Sequence, residues 1–272
     1  MKITKLFIVG ACTFLVSSSV MAATFVNGGF ETGNADGWIT GQGYRGNDFN
    51  STLTPSSVLP GGSLYDGPST HSSVINSSYV DPNIGAALGS TVYTGNYSYR
   101  IEDTTSGGYA SAISQKVQGY TDDKITFAWK AVLENGGHVA DESAVFRIVL
   151  RDDTTGQNVI NRTYDAGATG GGVDTRFAVD GNFFYTAAWQ VEELLIDAAL
   201  AGHDFTLSLL AADCEPTGHT GYAYLDGFGA VLPPPGGAGD PPPAGQVPLP
   251  GTLALLSLGF AGFGAARKRR QA

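Results

Sequence analysis

Lys124–Leu133 reads KITFAWKAVL, and in it Ile125, Phe127, Trp129 and Ala131 alternate with Lys124, Thr126, Ala128 and Lys130. A period of two sends successive side chains to opposite faces of an extended chain, so this stretch is a strand with one buried face and one largely wet face. Working outward, Ser143–Arg151 is a second such strand. Asp152, Asp153, Thr154, Thr155 and Gly156 make a turn, and Asn158–Tyr164 returns. Thr91–Ile101 and Tyr109–Val117 precede this hairpin, while Phe205–Ala212 and Gly221–Val231 follow it. Thr24–Phe30 starts the domain, and the Gly, Asn and Ser-rich stretch from Gly41 to about Ser73 reads as long loops. Trp189–Leu200, WQVEELLIDAAL, is ambiguous: Val191, Leu194, Leu195 and Ala198 share a helical face, yet the segment also reads as a strand ending near Asp197. Glycine is abundant, β-branched and aromatic residues are frequent, and long helical periodicity is nearly absent. The expectation is an all-β, antiparallel sandwich.

The ends of the chain carry addresses. Lys2 and Lys5 precede an apolar run from Leu6 to Val16, and small residues lead to Val20, Met21, Ala22 and Ala23. That is the pattern of a secretory signal peptide, residues 1–23, cut by signal peptidase. Cys12 leaves with it. At the other end, Leu249–Ala266 carries no charge over 18 residues, which as a helix spans roughly 27 Å and just crosses a bilayer. Arg267, Lys268, Arg269 and Arg270 follow directly and hold the C-terminus on the cytoplasmic side. Residues 233–246, PPPGGAGDPPPAGQ, form an extended, semi-rigid spacer. The domain between the two addresses is therefore 24–232.

Charge narrows the partners. Of 15 Lys and Arg residues, two lie in the signal and four in the tail; the remaining 9 stand against 25 acids, a net charge of −16 for the exported part. Nucleic acid is thereby an unsuitable partner. Cys214 is the one thiol left after signal removal, so no internal disulfide forms and the core alone must hold the fold.

The tail resembles the bacterial PEP-CTERM sorting signal. Val247, Pro248, Leu249 and Pro250 fill its short Val-Pro-Glu-Pro-type motif, with Leu249 where Glu is usual; a glycine-containing apolar helix and the terminal basic cluster complete it. The resemblance covers 247–272. It implies export through the inner membrane, anchoring by the C-terminal helix, processing by an exosortase, and transfer to the cell surface or extracellular matrix.

Two further stretches resemble carbohydrate-binding-module-like, galactose-binding-like jelly rolls. FVNGGFETGNADGW, from Phe25, is similar to their first strand, and GYAYLDGFGAV, from Gly221, to their last. The resemblance implies a structural Ca²⁺ held by Glu31 and Asp226, which would pin both ends of the domain; otherwise Glu31 is a loop acid and Asp226 a turn cap. Lys124–Asp226 also resembles sandwich modules of secreted bacterial surface proteins and adhesins, which carry the series Gly137, His138, Asp213, Cys214, Gly218, His219, Gly221, Tyr222, Ala223, Tyr224 and Asp226.

His138, Asp213, Cys214 and His219 are the one candidate soft-metal set, since imidazole and thiolate suit Zn²⁺. The simpler reading, preferred here, is a buried strand-end thiol and loop imidazoles bonded to backbone. Trp38, Tyr44 and Tyr65 are the candidates for stacking on a polysaccharide, whereas Trp129 and Trp189 are read as core. No nucleophile elbow, HExxH or phosphate loop is present, and the paired acids Glu102/Asp103, Asp122/Asp123 and Asp152/Asp153 fall mostly in turns. The sequence thus points to a non-enzymatic, exported structural or adhesive protein of the surface or biofilm matrix. A lectin-like module is the alternative, and a glycan-active enzyme a distant third.

Overall fold

The computed structural model describes residues 24–167, 172–216 and 218–235. The expected signal helix and C-terminal membrane helix lie outside them. Among the described residues no helix is long and apolar enough to cross a membrane.

Among the described residues twelve strands, all paired antiparallel, form two sheets. They are β1 Ile39–Tyr44, β2 Ser73–Asn76, β3 Tyr97–Ile101, β4 Tyr109–Tyr120, β5 Lys124–Glu134, β6 Val145–Asp152, β7 Gln157–Asp165, β8 Ala178–Asp180, β9 Phe183–Tyr185, β10 Gln190–Leu195, β11 His203–Ala212 and β12 Gly221–Gly229. One sheet has the order β1-β4-β11-β6-β7; the other runs β2-β3-β12-β5-β9-β8, with β10 also on β5. Strand β5 is long enough to serve two short partners on one edge. Strand β10 pairs with residues 124–129 and β9 with residues 132–134. Between them Thr186 donates its N–H to the Ala131 carbonyl and accepts the Ala131 N–H at its hydroxyl.

The inner faces meet as the alternation requires: Ile125, Phe127, Trp129 and Ala131 pack with Phe146, Ile148, Leu150, Leu207 and Leu209. The other face of β5 differs from expectation. It is not wet: Ala128 and Val132 are fully buried and Lys130 is 2% exposed. Residues 77–96 and the β9 region lie over it, joining Ile84, Leu88, Tyr79 and Phe183 to Val132, Tyr222 and Tyr224. Asp81 clasps that cover, accepting the hydroxyls of Tyr222 and Tyr224 at 2.8 and 2.6 Å. Lys130 donates to the Leu88 carbonyl inside it, and burial pulls its ammonium pKa down to about 8.

Three other expectations need correction. The Gly41–Ser73 region holds β1, a one-turn helix α1 at Pro55–Val58, and the start of β2. Gly41 and Gly43 sit in β1 because the 58–64 segment lies flat on it: a Cβ would meet the Val58 carbonyl oxygen at 2.1 Å and that of Leu64 at 1.9 Å. Thr24–Phe30 forms turns rather than a first strand. It reaches the sheet through Val26, which exchanges two hydrogen bonds with the Gln115 amide, and through Phe228, whose N–H bonds the Gly28 carbonyl. Thr91–Ile101 is strand only from Tyr97. Trp189–Leu200 resolves into β10 followed by a 3₁₀ turn at Ala198–Leu200.

Candidate functional site at the loop end of the sandwich

Strand β12 runs the length of the sandwich, with Gly221 at one end and Gly229 at the other. At the Gly221 end four segments converge: 45–50, 102–108, 135–144 and 213–220. Arg45, 1% exposed, joins them. Its guanidinium donates to the carbonyls of Asp48, Ser143 and Asp213 and to Asn50 Oδ1. Asp213 is the second hub. Its Oδ2 accepts the N–H groups of Gly107 and Gly108, both at 2.9 Å, and its Oδ1 that of Gly221 at 3.1 Å. Burial, with the Glu102 charge behind it, still lifts its pKa to about 8 against these amides.

Two side-chain clusters sit on this frame. In the first, His71 Nδ1 lies 3.0 Å from Glu102 Oε1 and 2.8 Å from Asp103 Oδ2. Glu102 is fully buried, adopts φ +65°, and keeps Oε2 without a hydrogen-bond partner among the described residues. The Glu102 hydrogen bond chiefly, opposed by partial burial and helped by both acidic charges, raises the His71 pKa to about 9. The imidazole stacks on Tyr109 at 4.3 Å between centroids, and Tyr44 meets Tyr109 edge-on at 5.7 Å. In the second cluster, His138, Cys214 and His219 bring one ligand atom each within 4.8 Å of one another. The clusters adjoin: Thr220, next to His219, donates its hydroxyl to the Asp103 carbonyl and its N–H to Glu134 Oε2.

The structure sorts the candidate residues. It unites three of the four soft-metal candidates but turns Asp213 away, since that carboxylate is spent on three amides. Trp38 is no sugar platform: it is 8% exposed, its indole N–H bonds the Asn27 carbonyl, and its ring packs on Phe25, Phe30 and Phe228. Tyr44, by contrast, is 58% exposed. Tyr65 is half-buried in the 62–67 turn. Trp129 is core as expected, whereas Trp189 is only half-buried and lies over Lys130.

Glu31 and Asp226 belong to the opposite end, where both grip one loop. Glu31 accepts the N–H groups of Asn96 and Tyr97 and the Asn96 side-chain amide, and Asp226 Oδ2 those of Tyr93 and Thr94. Burial first, with the Glu31 charge adding, lifts the Asp226 pKa to about 8. Five donors thus already engage the two acids where Ca²⁺ would need carbonyl or water oxygens. Asp226 Oδ1 is the exception, buried and without a hydrogen-bond partner among the described residues. The His71 cluster, Glu102 Oε2 and the Asp213 hub went unread in the sequence, where Glu102 and Asp103 looked like ordinary turn acids.

The sorting residues Val247, Pro248, Leu249, Pro250, Arg267, Lys268, Arg269 and Arg270 lie outside the described residues. They are reached by comparison. The family described as the PEP-CTERM protein-sorting motif matches residues 246–270. This chain carries a PEP-CTERM sorting signal. Such a signal implies export and exosortase processing. No curated protein matches the chain. Among solved structures it is similar to the carbohydrate-binding module TmCBM61 in complex with β-1,4-galactotriose, at 12% identity and TM-score 0.38 over 76% of this chain and 97% of that one. It is also similar to the module CBM27-1 of Caldicellulosiruptor saccharolyticus in complex with mannohexaose, at 11% identity and TM-score 0.37 over 79% and 100%. A third is the K1 cleaved adhesin domain of Lys-gingipain from Porphyromonas gingivalis W83, at 11% identity and TM-score 0.34 over 74% and 94%. The sandwich itself rests on the strand pairing described above, and no ligand is carried over from these proteins.

Proposed function

We propose that this protein is exported by its N-terminal signal, arrested in the membrane by Leu249–Ala266, cleaved near Val247–Pro250 by an exosortase, and delivered to the cell surface or extracellular matrix. There the sandwich serves a non-catalytic, structural or adhesive role. The observation that carries this reading is the sorting motif at residues 246–270. Its non-catalytic part is supported by Asp81 and Asp213, whose carboxylates engage tyrosine hydroxyls and backbone amides. The test is expression in a host with and without its exosortase. Without the enzyme a full-length precursor accumulates in the membrane fraction; with it a shortened form reaches the surface. Protein that stays in the cytosol in both hosts overturns the proposal.

A lectin-like role is the second reading, favoured by the exposed Tyr44 beside Tyr109 and His71. On a glycan array, a micromolar hit that Tyr44→Ala weakens about tenfold, about 1.4 kcal/mol, supports it; the absence of any hit removes it. A structural Ca²⁺ between Glu31 and Asp226 is proposed on the unbonded Asp226 Oδ1 alone. Calorimetric melting with and without chelator checks it, and an unchanged transition removes the ion.

A further inference from the structure

Cys214, fully buried at the end of the β11 strand run, lies with its sulfur 3.2 Å from His219 Nδ1 and accepts the His219 N–H at 3.0 Å. A lone thiol bonded to one imidazole would explain those contacts. It does not explain the third member. His138 comes from the separate β5–β6 loop, yet its ring centroid is 5.3 Å from that of His219, and one ligand atom from each of the three residues falls within 4.8 Å of the others.

The chain around them is shaped to that convergence. A Cβ on Gly136 would meet His219 Nδ1 at 2.2 Å and His138 Cδ2 at 2.7 Å, so the glycine leaves the space both imidazoles occupy. Gly218, at φ +68°, presses so closely on the 107–108 backbone that a Cβ would stand 2.7 Å from the Gly108 N–H nitrogen. Asp213, through Gly107, Gly108 and Gly221, and Glu134, through Thr220, fasten the second loop in place. The two rings are half-buried and the sulfur fully so, which sets the thiol at the floor and the imidazoles at the rim.

We propose that His138, Cys214 and His219 are a Zn²⁺ site with three protein ligands, its fourth position open to water or an incoming donor. Nitrogen and thiolate donors suit Zn²⁺ and disfavour Ca²⁺ or Mg²⁺, which take oxygen. Binding releases the thiol proton and leaves both imidazoles neutral. It ties the β5–β6 loop directly to the β11–β12 loop, which Arg45 otherwise joins through the Ser143 and Asp213 carbonyls. The proposal is independent of the sorting signal and of any glycan.

The test uses the full-length chain, purified metal-free under reducing conditions and titrated with Co²⁺ and then Zn²⁺. One equivalent of Co²⁺ should give a thiolate charge-transfer band with the intense visible bands of tetrahedral cobalt, and Zn²⁺ should bleach both. Cys214→Ser should abolish the charge-transfer band, Cys12→Ser should leave it intact, and His138→Ala or His219→Ala should weaken binding about tenfold or more. Should Cys214→Ser not fold by circular dichroism, His138→Gln, on a half-buried loop, keeps the test through its Co²⁺ affinity, which should fall about tenfold or more; an unchanged affinity overturns the assignment. Weak octahedral bands without charge transfer, a spectrum unchanged in Cys214→Ser, or a site that takes copper but neither cobalt nor zinc overturns the assignment.

Discussion

The two ends of the sandwich are built from different materials. At the Gly229 end Phe25, Phe30, Trp38, Phe127 and Phe228 stack with ring centroids 4.7 to 6.2 Å apart, closing the fold over the chain's first described residues. At the Gly221 end the buried groups are Arg45, Glu102, Asp213 and Cys214, with His71, His138 and His219 half-buried around them. Rings contribute burial without needing partners, whereas each buried charge or carboxyl must find donors or cost several kcal/mol. Each end keeps one buried carboxylate oxygen without a hydrogen-bond partner among the described residues, Asp226 Oδ1 at the first and Glu102 Oε2 at the second, so the contrast lies in what surrounds it: packed rings at one end, imidazoles, a thiol and a guanidinium at the other. The contrast teaches where closure ends and chemistry begins.

The sharpest way to break that contrast is Phe228→Ala. Phe228 is 6% exposed and touches four other rings, so its loss should destabilise the domain by about 3–5 kcal/mol in urea unfolding. A change below about 1 kcal/mol would mean the aromatic end does not close the fold. Next, Asp213→Ala strands three amide donors, a loss of about 2–4 kcal/mol by the same measurement. Asp213→Asn, able to serve only some of them, should fall between that variant and the parent.

The smallest effect is a titration. By NMR, His71 should stay protonated until about pH 9. Because its folded pKa lies above the ordinary 6.5, the stability it contributes is complete below about pH 6.5 and fades as pH rises through 9. Glu102→Gln should return the titration toward the ordinary value. A normal His71 pKa in the parent would break the cluster as described.

Much of the fold was legible because period-two alternation states which face is buried, and seven of the strands were read as strands in the sequence, β3 with its start too early, while β10 was left ambiguous between helix and strand. The cover over β5 was not. What holds residues 77–96 down is Asp81 meeting two tyrosines 141 and 143 positions away, and no local pattern announces that pairing. Strand β1 was missed for a converse reason: Gly41 and Gly43 read as loop, while in the fold they admit a neighbouring backbone. In the site, the spacing of Cys214 and His219 hinted at convergence. The position of His138 depends on β5 and β12 lying in register, Leu133 beside Gly221, which only the assembled sheet provides. Asp213 looked like a ligand by adjacency and is a structural anchor by geometry.

Strand β12 ends at Gly229, and the described chain leaves within six residues at the same pole where Thr24 and Phe25 enter. Any tether pulling on the C-terminal segment therefore loads β12 lengthwise, as shear against the rungs it shares with β3 and β5, the geometry in which a strand resists being peeled away. The same layout turns the imidazole-and-thiol pole away from the tether, toward whatever the domain meets.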